Sequence, residues 1–415
     1  MKSLLKRISG IDILFVIVIV CLTFQWFNYF PLLKHRTIFI GLGFLLVVFC
    51  SKGYFGRPTL ICMLSYILMV LLNWFAGDKY FDSLESIVYI EFFSLFFSSA
   101  FVYYLFKYNK NQLFTIIILT FGIFLIHSTI ISYLANQIMP GLMRFQANAD
   151  AAQSVSDFLY PYRRLGLSDY LIPHALCVII PGFVYLSKQA RGGFRYFFII
   201  LTATAWILSF VSGAFAALLL STLSLILSLL VNPQKSKSTG YIILFAFILV
   251  VPLLLSKDLQ MSILDSIGSI LPEESIGGER IMELQMSLES GWTEGDVAAR
   301  QEKLSYTLAV VENNFILGTD SELIGGHNAL IDRLAALGII GMIPFFLFLH
   351  FQLKFILNYI TGIKRLYLYI GITCGLLMML SKNMYTWSMW LFLIVLLPGM
   401  LYLGDYSKKG GYQGA

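Results

Sequence analysis

Charge is scarce in this chain. Asp, Glu, Lys and Arg together make up 13% of its 415 residues, roughly half the share found in soluble domains, which excludes an ordinary soluble globule. Cysteine is equally limited. Cys21, Cys50, Cys62, Cys177 and Cys374 all fall inside apolar runs. None belongs to a disulfide framework or shows zinc-ligand spacing, and no metal or cofactor is expected. The short basic loops hold no Gly-rich phosphate loop, dinucleotide fingerprint or paired-carboxylate metal signature, which argues against nucleotide chemistry on their side. No internal repeat or low-complexity tract is visible. The formal charge of +6 is scattered over short loops, so it reads as a topology signal and no nucleic-acid partner is expected.

Apolar residues fill the chain instead. They amount to 58%, with 16% aromatic and a mean hydropathy of +0.79. Runs of about 20 apolar residues recur, as membrane-spanning helices require. They lie near 11–30, 32–50, 59–76, 86–106, 112–134, 170–186, 196–212, 214–231, 240–256, 335–358, 366–381 and 385–403. The expected fold is all-α, a polytopic integral membrane protein of about 12 transmembrane helices. Residues 196–231 are too long for one span, and a tight reversal at Ser212–Gly213 is expected. The first run has basic residues before it and no small-residue cleavage site after it, so it reads as a retained helix.

Lys and Arg gather on one set of loop ends, including Lys6, Arg7, Lys52, Arg57, Lys188, Arg191, Lys235, Lys364 and Arg365. That set marks the cytoplasmic side and puts both termini there. The expected division is 1–256, N-terminal transmembrane helices with an outer loop at 135–169; 257–334, a large extracytoplasmic loop; and 335–415, C-terminal helices and a cytoplasmic tail. The large loop has five basic residues against fourteen acids, a net of −9. Apolar residues recur at helical spacing in three of its pieces, around Ile263–Ile270, Ile281–Leu288 and Leu304–Val311, so short amphipathic helices are expected. A loop this long is most often functional.

The end of that loop is the most informative stretch. In Gly318–Gly341, Gly325 and Gly326 precede His327 and Asn328, and Leu330, Leu334 and Leu337 then recur at helical spacing. An imidazole and an amide thus sit at a helix N-terminus, where unpaired backbone N–H groups favour an anion. Gly338 and Gly341, one turn apart, are suited to close approach of a second helix. Arg163, Arg164 and Arg300 are candidates for an anion site, since the guanidinium fork binds two phosphate oxygens at once. Snorkelling to lipid headgroups is the alternative for Arg163 and Arg164, and a salt bridge within the loop for Arg300. Arg333, beside Asp332, is expected to pair locally. His174 lies one turn into a helix and close to the outer face. His127 reads as a packed, hydrogen-bonded residue. Glu91 is a carboxylate inside an apolar run, which suits either a site or a bond to a neighbouring helix. Tyr160, Tyr162, Trp292 and Tyr306 suit either sugar stacking or an interfacial belt.

These motifs carry a resemblance. His327–Asn328, nine residues and then Gly338-x-x-Gly341 resembles the signature of the O-antigen polymerase and O-antigen ligase superfamily of polytopic bacterial membrane glycosyltransferases. Arg300 with the apolar pattern to Phe315 and Gly318 is similar to the segment before that signature, and Arg164-x-Gly166 resembles a feature of the preceding outer loop. The resemblance implies an undecaprenyl-diphosphate-linked oligosaccharide donor at the outer face of the inner membrane, with no metal or nucleotide. It implies arginines holding the diphosphate and His327 orienting or deprotonating the acceptor hydroxyl. His327, Arg300 and Arg164 would then be catalytic, and Arg163, Asn328, His174 and Tyr162 would bind substrate. A chain-length regulator and a flippase of the same pathway are the implied partners, besides membrane lipid. One departure is clear. Many members carry a Ser-Arg-Gly-like turn, where this chain reads Val211–Ser212–Gly213–Ala214.

Three functions are therefore compared. The first is a repeat-unit polymerase for O-antigen or capsule, and the second a ligase to lipid A core. The third is a transporter or flippase, for which repeated halves, broken helices and intramembrane charges are expected.

Overall fold

The computed structural model describes residues 9–24, 27, 35–76, 84, 87–139, 142–146, 156–231, 257–269, 278, 281–282, 285–286, 295–319, 324, 328–382 and 384–408. Among them every regular element is helical and no strand occurs. Seven helices are long and apolar enough to cross a membrane: α3 (Pro58–Phe75), α4 (Ile87–Lys107), α5 (Asn111–Ile138), α7 (Leu171–Gln189), α8 (Gly193–Val211), α12 (Ala329–Leu357) and α14 (Trp387–Gly404). Shorter apolar helices stand beside them, α1 (Gly10–Thr23), α2 (Arg36–Cys50) and α9 (Phe215–Leu230), together with α13 (Lys364–Ser381). Polar segments contribute α6 (Ser156–Leu165), α10 (Lys257–Gly268) and α11 (Gly295–Asn314). The last two are helices at the places of the first and third pieces read in the long loop. Most of the second lies outside the described residues.

Helices α4, α7 and α14 form the centre, and nearly all their side chains are buried. The others ring them and leave apolar faces open, for example Leu68 and Phe75 on α3, Ile123 on α5 and Phe210 on α8. Aromatic rings fill the space between α1, α4 and α14, where Phe93, Phe97 and Trp387 pack with centroids 5.2–5.5 Å apart. Buried hydroxyls join the helices too, as expected where packing and polar bonds do the work of association. Ser224 Oγ donates to the Cys177 carbonyl at 2.7 Å, and Ser209 and Ser221 hydroxyls meet at 2.9 Å. The reversal expected at Ser212–Gly213 is present: α8 ends at Val211, Gly213 takes φ 64°, and α9 follows.

Helix α12 begins at Ala329, directly after Asn328 as the helical spacing from Leu330 implies, but departs from expectation at Gly338 (φ 62°, ψ 178°), where it is broken. That region of backbone space is open essentially to glycine alone. The gap is filled by the turn that follows α11, residues 315–319, and not by a second helix. Ile339 N–H donates to the Phe315 carbonyl at 2.8 Å, Ile340 N–H to Ile316 at 3.2 Å, and Thr319 N–H to Ala335 at 3.0 Å. Asn73 Nδ2 donates to the Ala336 carbonyl at 3.1 Å. A Cβ on Gly338 would stand 2.4 Å from the Gly318 nitrogen and the Ile316 oxygen, so glycine here admits a crossing chain.

Candidate functional site

Five helix ends converge at the end of the bundle from which the long segments emerge. They leave a cavity of about 130 Å³ between the close of α1, the starts of α2, α4 and α7, and the start of α14. Arg36, Tyr89, Asp169, Thr386 and Ser388 are the polar groups that matter in its wall.

Each is positioned by local chemistry. Arg36 opens α2, and its guanidinium lies over the Tyr89 ring, 5.0 Å from the centroid. Tyr89 stacks on Phe93, fixing its plane. The chain before α7 is pinned to α5: His127 Nε2 lies 2.8 Å from the Leu165 carbonyl, Ser128 Oγ donates to the Gly166 carbonyl at 2.8 Å, and Ser168 N–H donates to Ser132 Oγ at 3.0 Å. Asp169 follows directly, and its Oδ1 accepts from Leu171 N–H at 3.2 Å. Burial raises the Asp169 carboxyl above the usual carboxylate range, opposed by the Leu171 N–H and the charges of Arg36 and Arg163. Thr386 caps α14 by accepting from Met389 N–H at 3.4 Å, and its hydroxyl lies 3.2 Å from that of Ser388. Arg36 Nε and Tyr89 Oη, both buried, have no hydrogen-bond partner among the described residues.

A second cluster surrounds the start of α12. Asn328 is buried, and its N–H donates to Asp332 Oδ2 at 3.0 Å. The local Asp332–Arg333 pair expected from sequence is corrected here. Asp332 closes the helix start, while Arg333 reaches across to Glu91 on α4 in a buried ion pair. Arg333 also donates to the Ala329 carbonyl at 3.0 Å and covers the Tyr385 ring at 3.6 Å. The other Glu91 oxygen accepts from Tyr66 Oη at 2.9 Å. Of the two roles open to Glu91, the bond to neighbouring helices is therefore observed. The Ala329 N–H donates to the Lys382 carbonyl at 3.3 Å, and Lys382 lies within electrostatic range of His174.

The sequence candidates are only partly gathered. His327 lies outside the described residues. Arg300 falls on α11, and its side chain is outside the described set. Arg164 is exposed, with its guanidinium 5.8 Å from the Tyr160 centroid. Arg163 is half-buried and acts on Asp169. Tyr162 is half-buried against the apolar core. His174 is fully buried, its Nδ1 lying 3.0 Å from the Tyr170 carbonyl. His127 is hydrogen-bonded as expected, yet exposed. Arg36, Asp169 and the Thr386–Ser388 turn were missed. Arg36 sits in a Lys34–His35–Arg36 run at an interhelical turn, and a charged group there, on the side opposite the main Lys/Arg set, was the available signal. Among the described residues no three His, Cys, Asp or Glu side chains gather as metal ligands do. Comparison with protein-family models, with curated proteins and with solved structures returns no match.

Proposed function

We propose that the chain is a bacterial inner-membrane polysaccharide polymerase that joins undecaprenyl-diphosphate-linked oligosaccharide repeat units at the outer face. The observation that supports this reading is an apolar helical bundle whose helix α12 starts directly after Asn328, at the end of the long polar segment. The Lys/Arg excess on one set of loop ends supports a topology with both termini in the cytoplasm and the long loop segments outside. In the reaction, an acceptor hydroxyl oxygen bonds to the anomeric carbon of the donor sugar. The bond from that carbon to the diphosphate oxygen breaks, and lipid diphosphate leaves. His327 takes the hydroxyl proton. Arg164 and Arg300 meet the charge developing on the diphosphate. Purified protein in vesicles, given the lipid-linked repeat unit, should form a ladder of longer glycans and release undecaprenyl diphosphate. Transfer of a preformed glycan to lipid A core, without lengthening, would identify a ligase.

A transporter is the second reading, favoured by the break in α12 and the buried Glu91–Arg333 pair, both features of transport proteins. Against it, the described break is single, and no repeat relates two halves of the sequence. Movement of the lipid-linked unit across the vesicle membrane with no new glycosidic bond would decide for transport.

A further inference from the structure

We infer that the turn Phe315–Ile316–Leu317, near the end of the long polar segment, is a membrane anchor whose side chains enter the acyl-chain region of the bilayer that the bundle spans. The sequence sets this turn apart. Glu312, Asn313 and Asn314 close the polar helix α11 before it, and Gly318 and Thr319 follow it. Between them stand three consecutive large apolar side chains, 47%, 61% and 73% exposed in chain order. Such a run left in water is an aggregation liability, so it calls for a cover.

Depth identifies the cover. Helices α3 and α12 lie antiparallel, side by side. The Arg57 guanidinium, just before α3, lies over the Phe355 ring near the end of α12, 5.4 Å from its centroid. Asn73, near the end of α3, donates to the Ala336 carbonyl. Between these two contacts run about 24 Å of α3 and about 28 Å of α12 at 1.5 Å per residue, close to the ~30 Å of a bilayer's hydrocarbon core. The turn stands at the second contact, because the Ile339 and Ile340 N–H groups donate to its Phe315 and Ile316 carbonyls at 2.8 and 3.2 Å. It therefore sits at the boundary of the hydrocarbon.

Continuity favours lipid over a protein partner. Ile340, bonded to the turn, is followed at helical spacing by Ile343 and Leu347, all 44–47% exposed. They form an open apolar stripe that runs from the turn along a helix long enough to cross a membrane. Acyl chains cover stripe and turn together, whereas a soluble partner reaches only the turn. The backbone permits this position. An irregular segment at membrane depth must have its polar groups satisfied by protein. Two carbonyls of the turn are taken by α12, the Gly318 N–H donates to the Asn314 carbonyl at 2.8 Å, and the Thr319 N–H to Ala335 at 3.0 Å. Gly318 (φ 73°) allows the approach, since a Cβ there would stand 2.3 Å from the Ala336 oxygen.

The test is a nitroxide label on Leu317→Cys in the full chain, reconstituted in vesicles of equal parts phosphatidylcholine and phosphatidylglycerol. Cys50 and Cys62, both partly exposed, are first replaced by Ala. Power-saturation EPR compares collisions with oxygen, which concentrates in hydrocarbon, and with a water-soluble nickel chelate. Labels on Leu347→Cys, in the stripe, and on Glu302→Cys, exposed on α11, give the lipid and water references. The label at position 317 should gain oxygen contact and lose nickel contact relative to position 302, approaching position 347. A label on Ile316→Cys should read the same way, so the test stands if one variant fails to fold. A label at these positions that meets nickel as freely as the one at 302 overturns the anchor in favour of a water-exposed turn. A label sheltered from both reagents overturns it in favour of a protein cover, whether a second copy or another chain. The result is independent of which reaction the chain performs.

Discussion

The buried pair between Glu91 and Arg333 gives the sharpest test of the packing. Removing one partner of a buried pair costs about 3–5 kcal/mol, because the survivor keeps its desolvation penalty without its counter-charge. Arg333→Met should fall in that range. Among the described residues it leaves Glu91 the Tyr66 hydroxyl, and it also loses the bond to the Ala329 carbonyl and the contact with the Tyr385 ring. Glu91→Gln should cost less, since the amide oxygen can still accept from Arg333 while the amide N–H can donate to the Tyr66 oxygen. The decisive protein is the double variant. With both charges gone, no desolvated ion remains, and replacement of a buried pair by neutral groups is often nearly neutral. The double variant should therefore be more stable than Arg333→Met alone. Cys21, Cys177 and Cys374 are free and buried, so a thiol-reactive dye reports opening of the bundle during a thermal ramp at fixed rate. A chain of this size shifts by at most about 2 °C per kcal/mol, which makes Arg333→Met melt up to about 10 °C lower. If the double variant is no more stable than Arg333→Met, the two side chains are not energetically coupled and the described contact does not hold α4 to α12.

Four further outcomes follow from particular contacts. Gly338→Ala should cost at least about 2 kcal/mol, since alanine must take φ near +62° with its Cβ against the Gly318 and Ile316 backbone; limited proteolysis should then cut sooner between α11 and α12. Lys188 donates to the carbonyls of Ser228, Leu229 and Val231 at 3.0–3.1 Å, so Lys188→Met should lower stability by about 1 kcal/mol, a modest figure because the lysine is exposed; hydrogen exchange at the end of α9 should rise. The Asp169 carboxyl is raised in the folded protein, so the folded state binds more protons than the unfolded one; stability from this group should fall as pH rises from about 4 to its raised value and stay level above, and Asp169→Asn should flatten that fall in pH-dependent melting curves. His327→Ala should abolish glycan transfer at matched membrane levels; near-normal transfer by His327→Gln, which cannot take up a proton at working pH, would restrict this histidine to orienting the acceptor.

What was legible in the sequence depends on the distance over which the cause acts. Apolar runs and their breaks are local, so the helical class, the reversal at Ser212–Gly213 and two of the helical loop pieces could be read directly. The pair between Glu91 and Arg333 joins residues 242 positions apart. Sequence offered Arg333 an acid one residue away, yet Asp332 is taken by the N–H of Asn328, a requirement of the helix start itself. The same logic explains Gly338. Its spacing from Gly341 signalled close approach, but only the backbone angle shows that the helix is broken there and that the partner is the turn that follows α11.

The cavity follows the same rule more strictly. Its wall is drawn from five separate helix ends, and none of its polar groups stands in a motif. Asp169 ends the outer loop at 135–169, and Arg36 stands in the short turn between two apolar runs. Each becomes informative once the hydroxyls of Ser128 and Ser132 pin the chain before α7 and α2 begins beside Tyr89. A site assembled from helix ends leaves a specific trace, namely polar residues at the first or last turn of apolar helices on one side of the membrane. Arg36, Asp169, Thr386 and Ser388 all satisfy that description. Selecting residues by their place at helix ends recovers these wall groups where motif spacing does not.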